Sequence, residues 1–79
     1  MKKTPLERWE LRNSEGRAVV RQVSSALDGP YEWRWTVVAK GGVVQKGGRR
    51  KTRQGAMEEA GWTLEYLTGT AVGQWERTT

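Results

Sequence analysis

The chain has 79 residues, fourteen of them Lys or Arg against nine Asp or Glu, for a formal charge of +5 and a pI near 10.1. That length makes one small basic domain spanning residues 1–79, near the size at which a single core supplies only a few kcal/mol. With no histidine and no cysteine, a disulfide scaffold, a Cys/His zinc site, a thiol nucleophile and a histidine general base are all excluded.

The first predicted strand runs from Leu6 to Arg12, with Trp9 and Leu11 on one side and Arg8, Glu10 and Arg12 on the other. Asn13-Ser14-Glu15-Gly16 is a turn in which the glycine can supply a positive φ. A second strand follows from Arg17 to Val23, with apolar groups on both faces: Val19 and Val23 alternate against Ala18, Val20 and Gln22. Ser24 to Pro30 connects it to the next element, punctuated by Asp28-Gly29-Pro30.

Tyr31 to Val38 carries the clearest strand pattern. Tyr31, Trp33, Trp35 and Val37 share one face, Glu32, Arg34, Thr36 and Val38 the other, and aromatic and β-branched residues suit a half-buried pleated surface. Trp33 and Trp35 are therefore core candidates. Gly41-Gly42 marks a turn, Val43-Val44-Gln45-Lys46 starts a return strand, and Gly47-Gly48 ends it, bends it or permits a bulge.

Thr52 is placed to cap a helix over Arg53–Thr68, and Gly69 to stop it. Its apolar stripe is Ala56, Met57, Ala60, Leu64 and Leu67, with Gly61 beside it allowing close approach to the sheet. Residues 70–79 form a tail anchored by Trp75 or a short extra strand. The expected fold is α+β: a three- or four-stranded antiparallel sheet covered on one face by a C-terminal helix.

Charge is unevenly distributed. Residues 1–32 carry a net +1, residues 33–53 carry seven basic groups and no acid, and residues 54–79 sum to −3. The dense run Lys46, Arg49, Arg50, Lys51 and Arg53, together with Arg34, makes a candidate nucleic-acid-binding set attractive to phosphate. A solvated loop and a contact for an acidic protein surface are the competing explanations of that run. Arg53 at the helix start opposes the helix dipole unless an anion or acid is near, which favours a phosphate-facing role.

A second candidate surface is aromatic. Trp62 and Tyr66 lie four residues apart, opposite the Met57/Leu64 stripe and beside Glu58 and Glu59. Either Trp75 and the tail fold over them, or they form a protein-interaction or self-association surface. Catalysis is not expected. The adjacent Glu58 and Glu59 diverge by about 100° around a helix, and Glu58 and Glu65 are separated by roughly 10 Å along its axis. The spacing of acids suggests no metal site, and no cofactor is implied. The apolar runs are too short to span a membrane, and Lys2, Lys3, Pro5 and Glu7 do not read as a secretory leader, so the expected location is cytoplasmic.

The run YEWRWTVVAKGGVVQKGGRRKTRQGAMEEAGWTLEYL resembles the sheet-then-helix half of the small DNA-binding domains at the front of phage tyrosine integrases. That resemblance implies a sheet laid in a DNA groove with a helix packed behind it. By position, the sheet-borne contacts would be Arg34, Thr36, Lys46 and Arg49. The chain departs from the family in its N-terminal hairpin and its exposed helical aromatics, and no catalytic domain follows within these 79 residues. Its size and composition are also similar to those of small phage or prophage accessory proteins, some of which inhibit bacterial defence complexes. Two functions are therefore expected: non-enzymatic binding of DNA or RNA, or binding to an acidic or nucleic-acid-binding bacterial protein as an inhibitor.

Overall fold

In the computed structural model, residues 6–24, 31–39 and 45–78 are described. They form β1 (Arg8–Asn13), β2 (Gly16–Ser24), β3 (Tyr31–Ala39), β4 (Gln45–Arg50), α1 (Arg53–Thr68) and β5 (Glu76–Arg77). The five strands make one sheet in the order β4-β3-β2-β1-β5, with every neighbouring pair antiparallel. The expected α+β architecture is present, and the extra-strand alternative for the tail is realised by β5 on the outer edge of β1. The expected connection at Asp28-Gly29-Pro30, the Gly41-Gly42 turn and the strand start at Val43-Val44 lie outside the described residues.

Alternation along the strands decides which face is buried. In β3, Trp33, Trp35 and Val37 are buried, and the register sets Val20 opposite Trp35 and Ala18 opposite Val37. Leu11 of β1 lies opposite Ala18 and completes the row. This settles the two-sided pattern of β2: Ala18 and Val20 point to the core, and Val19 lies on the opposite face.

Helix α1 lies over β3 and β2 and reaches β4. Thr52 caps it as expected, its hydroxyl accepting the Gly55 N–H at 3.1 Å, and Gly69 ends it in the left-handed conformation (φ 67°), donating to the Glu65 carbonyl at 2.7 Å. The buried helix face is Ala56, Ala60, Gly61, Thr63 and Leu64, all small except Leu64. Met57 and Leu67, expected in the central stripe, are only half-buried and pack at the margin of the core with Trp9, Val72 and Trp75. Trp33 and Trp35 lie on the sheet face beneath the helix, and the small residues Ala56, Ala60 and Gly61 bring the two layers close, a methyl group on Gly61 standing 3.4 Å from the Leu11 Cδ2 atom.

Two glycines act through space rather than through backbone freedom. Gly16 does not take a positive φ; a Cβ there would meet the Val38 carbonyl oxygen at 2.6 Å, so the strands could not pair as closely. Gly47 and Gly48 neither end nor bulge β4 but pair with Thr36 and Trp35 in register. A Cβ on Gly48 would stand 2.8 Å from the Trp35 Nε1 atom, so the missing side chain is the seat of that indole.

Candidate nucleic-acid interface

Among the described residues, the helix covers one face of the sheet and leaves the other open. On that open face the register aligns Arg8 of β1 with Arg21 of β2, Arg21 with Arg34 of β3, and Arg34 with Arg49 of β4. Four arginines thus stand side by side on four adjacent strands, a row about 14 Å wide at the usual ~4.8 Å strand spacing. Arg17 adds a further charge four positions from Arg21 on the same face of β2, opposite Arg12. A shallow depression between Arg8, Arg17, Val19, Arg21, Thr36 and Val38 marks the centre of the face.

Acid compensation is partial. Glu32 lies 2.8 Å from Arg34 Nε and 3.8 Å from Arg49 Nη1, and Glu10 pairs with Arg12 at 2.5 Å. Arg8, Arg17 and Arg21 make no ion pair among the described residues. Like charges directly across a strand pair repel one another, so this row costs the isolated fold stability that a polyanion would restore. No aromatic ring lies on the open face among the described residues.

The residues of the basic run are divided among different places. Arg34 and Arg49 are on the open face, whereas Lys46 and Arg50, opposite Val37 and Trp33, belong to the helix side of β4. Lys46 and Arg49 are three positions apart on one strand and so point to opposite faces; the grouping of Lys46 with Arg34, Thr36 and Arg49 does not match the register. Arg50 is bound to Glu59, and Arg53 reaches Glu7 at 3.1 Å while its guanidinium lies 5.2 Å over the Trp9 ring. Glu7 therefore supplies the acid that the helix start lacks, and the dipole mismatch at Arg53 is answered within the fold. Lys51 is exposed between β4 and α1.

Glu59 is a fold contact rather than part of an outer docking face. One carboxylate oxygen accepts from the Trp35 indole at 2.8 Å and the other from Arg50, so a core indole and an edge-strand arginine are held by one helical residue. The Arg50 hydrogen bond, helped by the indole N–H, holds its carboxyl below the ordinary range, and the same bond pushes Arg50 upward. Glu7 is likewise lowered, first by the Trp9 indole N–H and then by Arg53.

Trp62 and Tyr66 are 68% and 74% exposed, with ring centroids 5.6 Å apart and planes 15° from parallel. The tail does not cover them. Trp75 instead packs against the margin of the core, beside Arg53, Gln54, Met57 and Glu58. Glu58 is exposed, its carboxylate meeting the Gln54 amide at 3.4 Å.

Sequence reasoning did not single out Arg8, Arg17 and Arg21. They are interspersed with Glu7, Glu10 and Glu15, so their segment looks nearly neutral, and only the alternation of β2 combined with cross-strand register lines them up with Arg34. No helix among the described residues is long and apolar enough to cross a membrane. Comparison with protein-family models, curated proteins and solved structures gives no match.

Proposed function

We propose that the chain is a non-enzymatic nucleic-acid-binding accessory protein of the cytoplasm that holds its ligand on the open face of the sheet. The observation that carries this reading is the row Arg8–Arg21–Arg34–Arg49, four guanidinium groups in register of which only Arg34 and Arg49 have a carboxylate partner among the described residues. The guanidinium forks favour phosphate oxygens, and a row of them positions a backbone. The lack of aromatic rings on the described open face favours phosphate contact over base stacking there, so a duplex is the better ligand. Arg34, flanked by Thr36 near the centre, is the side chain best placed to reach a base edge in a groove. The test is binding of blunt DNA and RNA duplexes across a salt series. Failure to bind any of them at low salt would remove the reading.

A second reading rests on the exposed Trp62–Tyr66 stack, since paired aromatic rings in water are common anchors of protein interfaces. On it, the chain is a phage or prophage inhibitor of a bacterial nucleic-acid-processing or defence complex. Capture from a bacterial lysate with and without nuclease separates the two: one partner retained after nuclease, and lost on Trp62→Ala, favours the inhibitor.

A further inference from the structure

The open face ends at β4, an edge strand of the sheet among the described residues, and the surface does not lose its character there. Around that edge, on the helix side, lies a groove of about 830 Å³ bordered by Arg49, Lys51, Thr52, Glu58 and Trp62. Arg49 belongs both to the open face and to this groove, so the two are continuous.

The groove has a definite polarity. On the strand side stand Lys51, without an ion pair among the described residues, and Arg49, whose nearest carboxylate is 3.8 Å away. On the helix side stand the Trp62 ring and the Glu58 carboxylate, while Arg50 and Glu59 neutralise each other between them. Tyr66 stacks against the Trp62 ring, and Trp62 but not Tyr66 borders the groove.

A nucleotide has the same polarity. Its phosphate is anionic, its base is a flat π surface, and most bases carry an exocyclic amine that a carboxylate can accept. We infer that this groove takes one unpaired nucleotide of the bound nucleic acid, with the base stacked on Trp62 in front of Tyr66 and the phosphate against Lys51 and Arg49. Glu58 then faces the amine edge of the base, which explains why an acid sits beside the aromatic pair. The inference rests on the open-face reading above and extends it: a duplex on the sheet, with a strand end or extruded base turned around the β4 edge.

The test compares a blunt duplex, the same duplex with a short single-stranded overhang, and one whose overhang is abasic and so carries equal charge without bases. Stacking one base on an aromatic ring predicts roughly tenfold tighter binding of the ordinary overhang than of the abasic one. Trp62→Ala should abolish that difference, Trp62→Phe should keep most of it, and neither should change blunt-duplex affinity; circular dichroism verifies that both variants fold. Equal binding of ordinary and abasic overhangs, or a difference that survives Trp62→Ala, overturns the inference and leaves the open-face reading standing. Trp62-dependent binding of an isolated single strand without any duplex binding supports the groove and overturns the open-face reading. A nucleoside monophosphate that binds in a Trp62-dependent way while overhangs do not would assign the groove to free nucleotides and overturn the strand-borne ligand. Absence of all nucleic-acid binding overturns both.

Discussion

Replacing Arg21 and Arg34 with glutamine removes the two middle members of the arginine row and leaves the helix side untouched. If the row and Arg17 neutralise five phosphates of a blunt duplex, the log-affinity should fall against log-salt with a slope of about −4.5, and the double variant with about −2.7. Over a fourfold rise in salt, from about 50 to about 200 mM, those slopes correspond to losses of about 500-fold and about 40-fold. The comparison that isolates geometry from net charge is Lys46→Gln with Lys51→Gln, which removes the same two charges from outside the open face. That variant should keep the wild-type slope on a blunt duplex. Fluorescence anisotropy of a labelled duplex at five or so salt concentrations measures all three slopes. The fold should suffer little from the arginine changes, because they relieve repulsion between exposed side chains and give up only the surface pair of Arg34 with Glu32, without opening a cavity. Equal slopes for the two double variants, or a larger change for the lysine pair, would refute the assignment of the interface to the sheet face.

Three predictions concern the scaffold. Trp35→Ala should cost roughly 3–5 kcal/mol, since it empties a buried indole site and strands one oxygen of Glu59; a denaturant midpoint shifted by less than about 1 kcal/mol equivalent would contradict the packing. Gly48→Val should destabilise by about 1–3 kcal/mol, because its Cβ lands 2.8 Å from an indole that Glu59 already holds in place, and thermal melting should show no loss if the ring can slide aside. Glu59 titrates lower in the fold than in the unfolded chain, so its contribution is present at neutral pH and fades as pH falls through and below the ordinary carboxylate range near ~4. Glu59→Gln should therefore flatten part of the acid limb of a melting-temperature profile, and a profile parallel to wild type would show that Arg50 does not hold the carboxylate in solution.

The strands and helix were legible where one local rule sufficed. Period-two alternation picked out the buried face of β3, and Thr52 and Gly69 bounded α1 at Arg53–Thr68 because cap chemistry is local. What stayed hidden depended on the partner across the gap. The roles of Gly16 and Gly48 are set by Val38 and Trp35 on the neighbouring strand. The fifth strand is two residues long, too short for any periodic signal, and is held through main-chain bonding to β1, as in the Thr78 N–H donating to the Arg8 carbonyl at 2.8 Å.

The candidate interface was legible only in part, for a reason that lies in how charge is counted. A linear count makes residues 33–53 the positive segment and residues 1–32 nearly neutral. Folding re-sorts both. Two of the cations in the dense run are paired within the fold, Arg50 with Glu59 of the helix and Arg53 with Glu7 beside β1. The apparently neutral segment contributes Arg8, Arg17 and Arg21, whose neighbouring acids are directed elsewhere: Glu7 to Trp9 and Arg53, and Glu10 to Arg12. A charge run in sequence reports a loop or helix start, where consecutive side chains share an environment. On a sheet the unit of charge is the cross-strand row, and its members are separated in sequence by a whole hairpin. Arg8 and Arg21 are thirteen positions apart, as are Arg21 and Arg34, while Arg34 and Arg49 are fifteen apart; each interval joins two neighbouring antiparallel strands. The clustered signal in this sequence therefore led to one end of the row through Arg49 and Arg34, and pairing the strands is what extends it to Arg21 and Arg8.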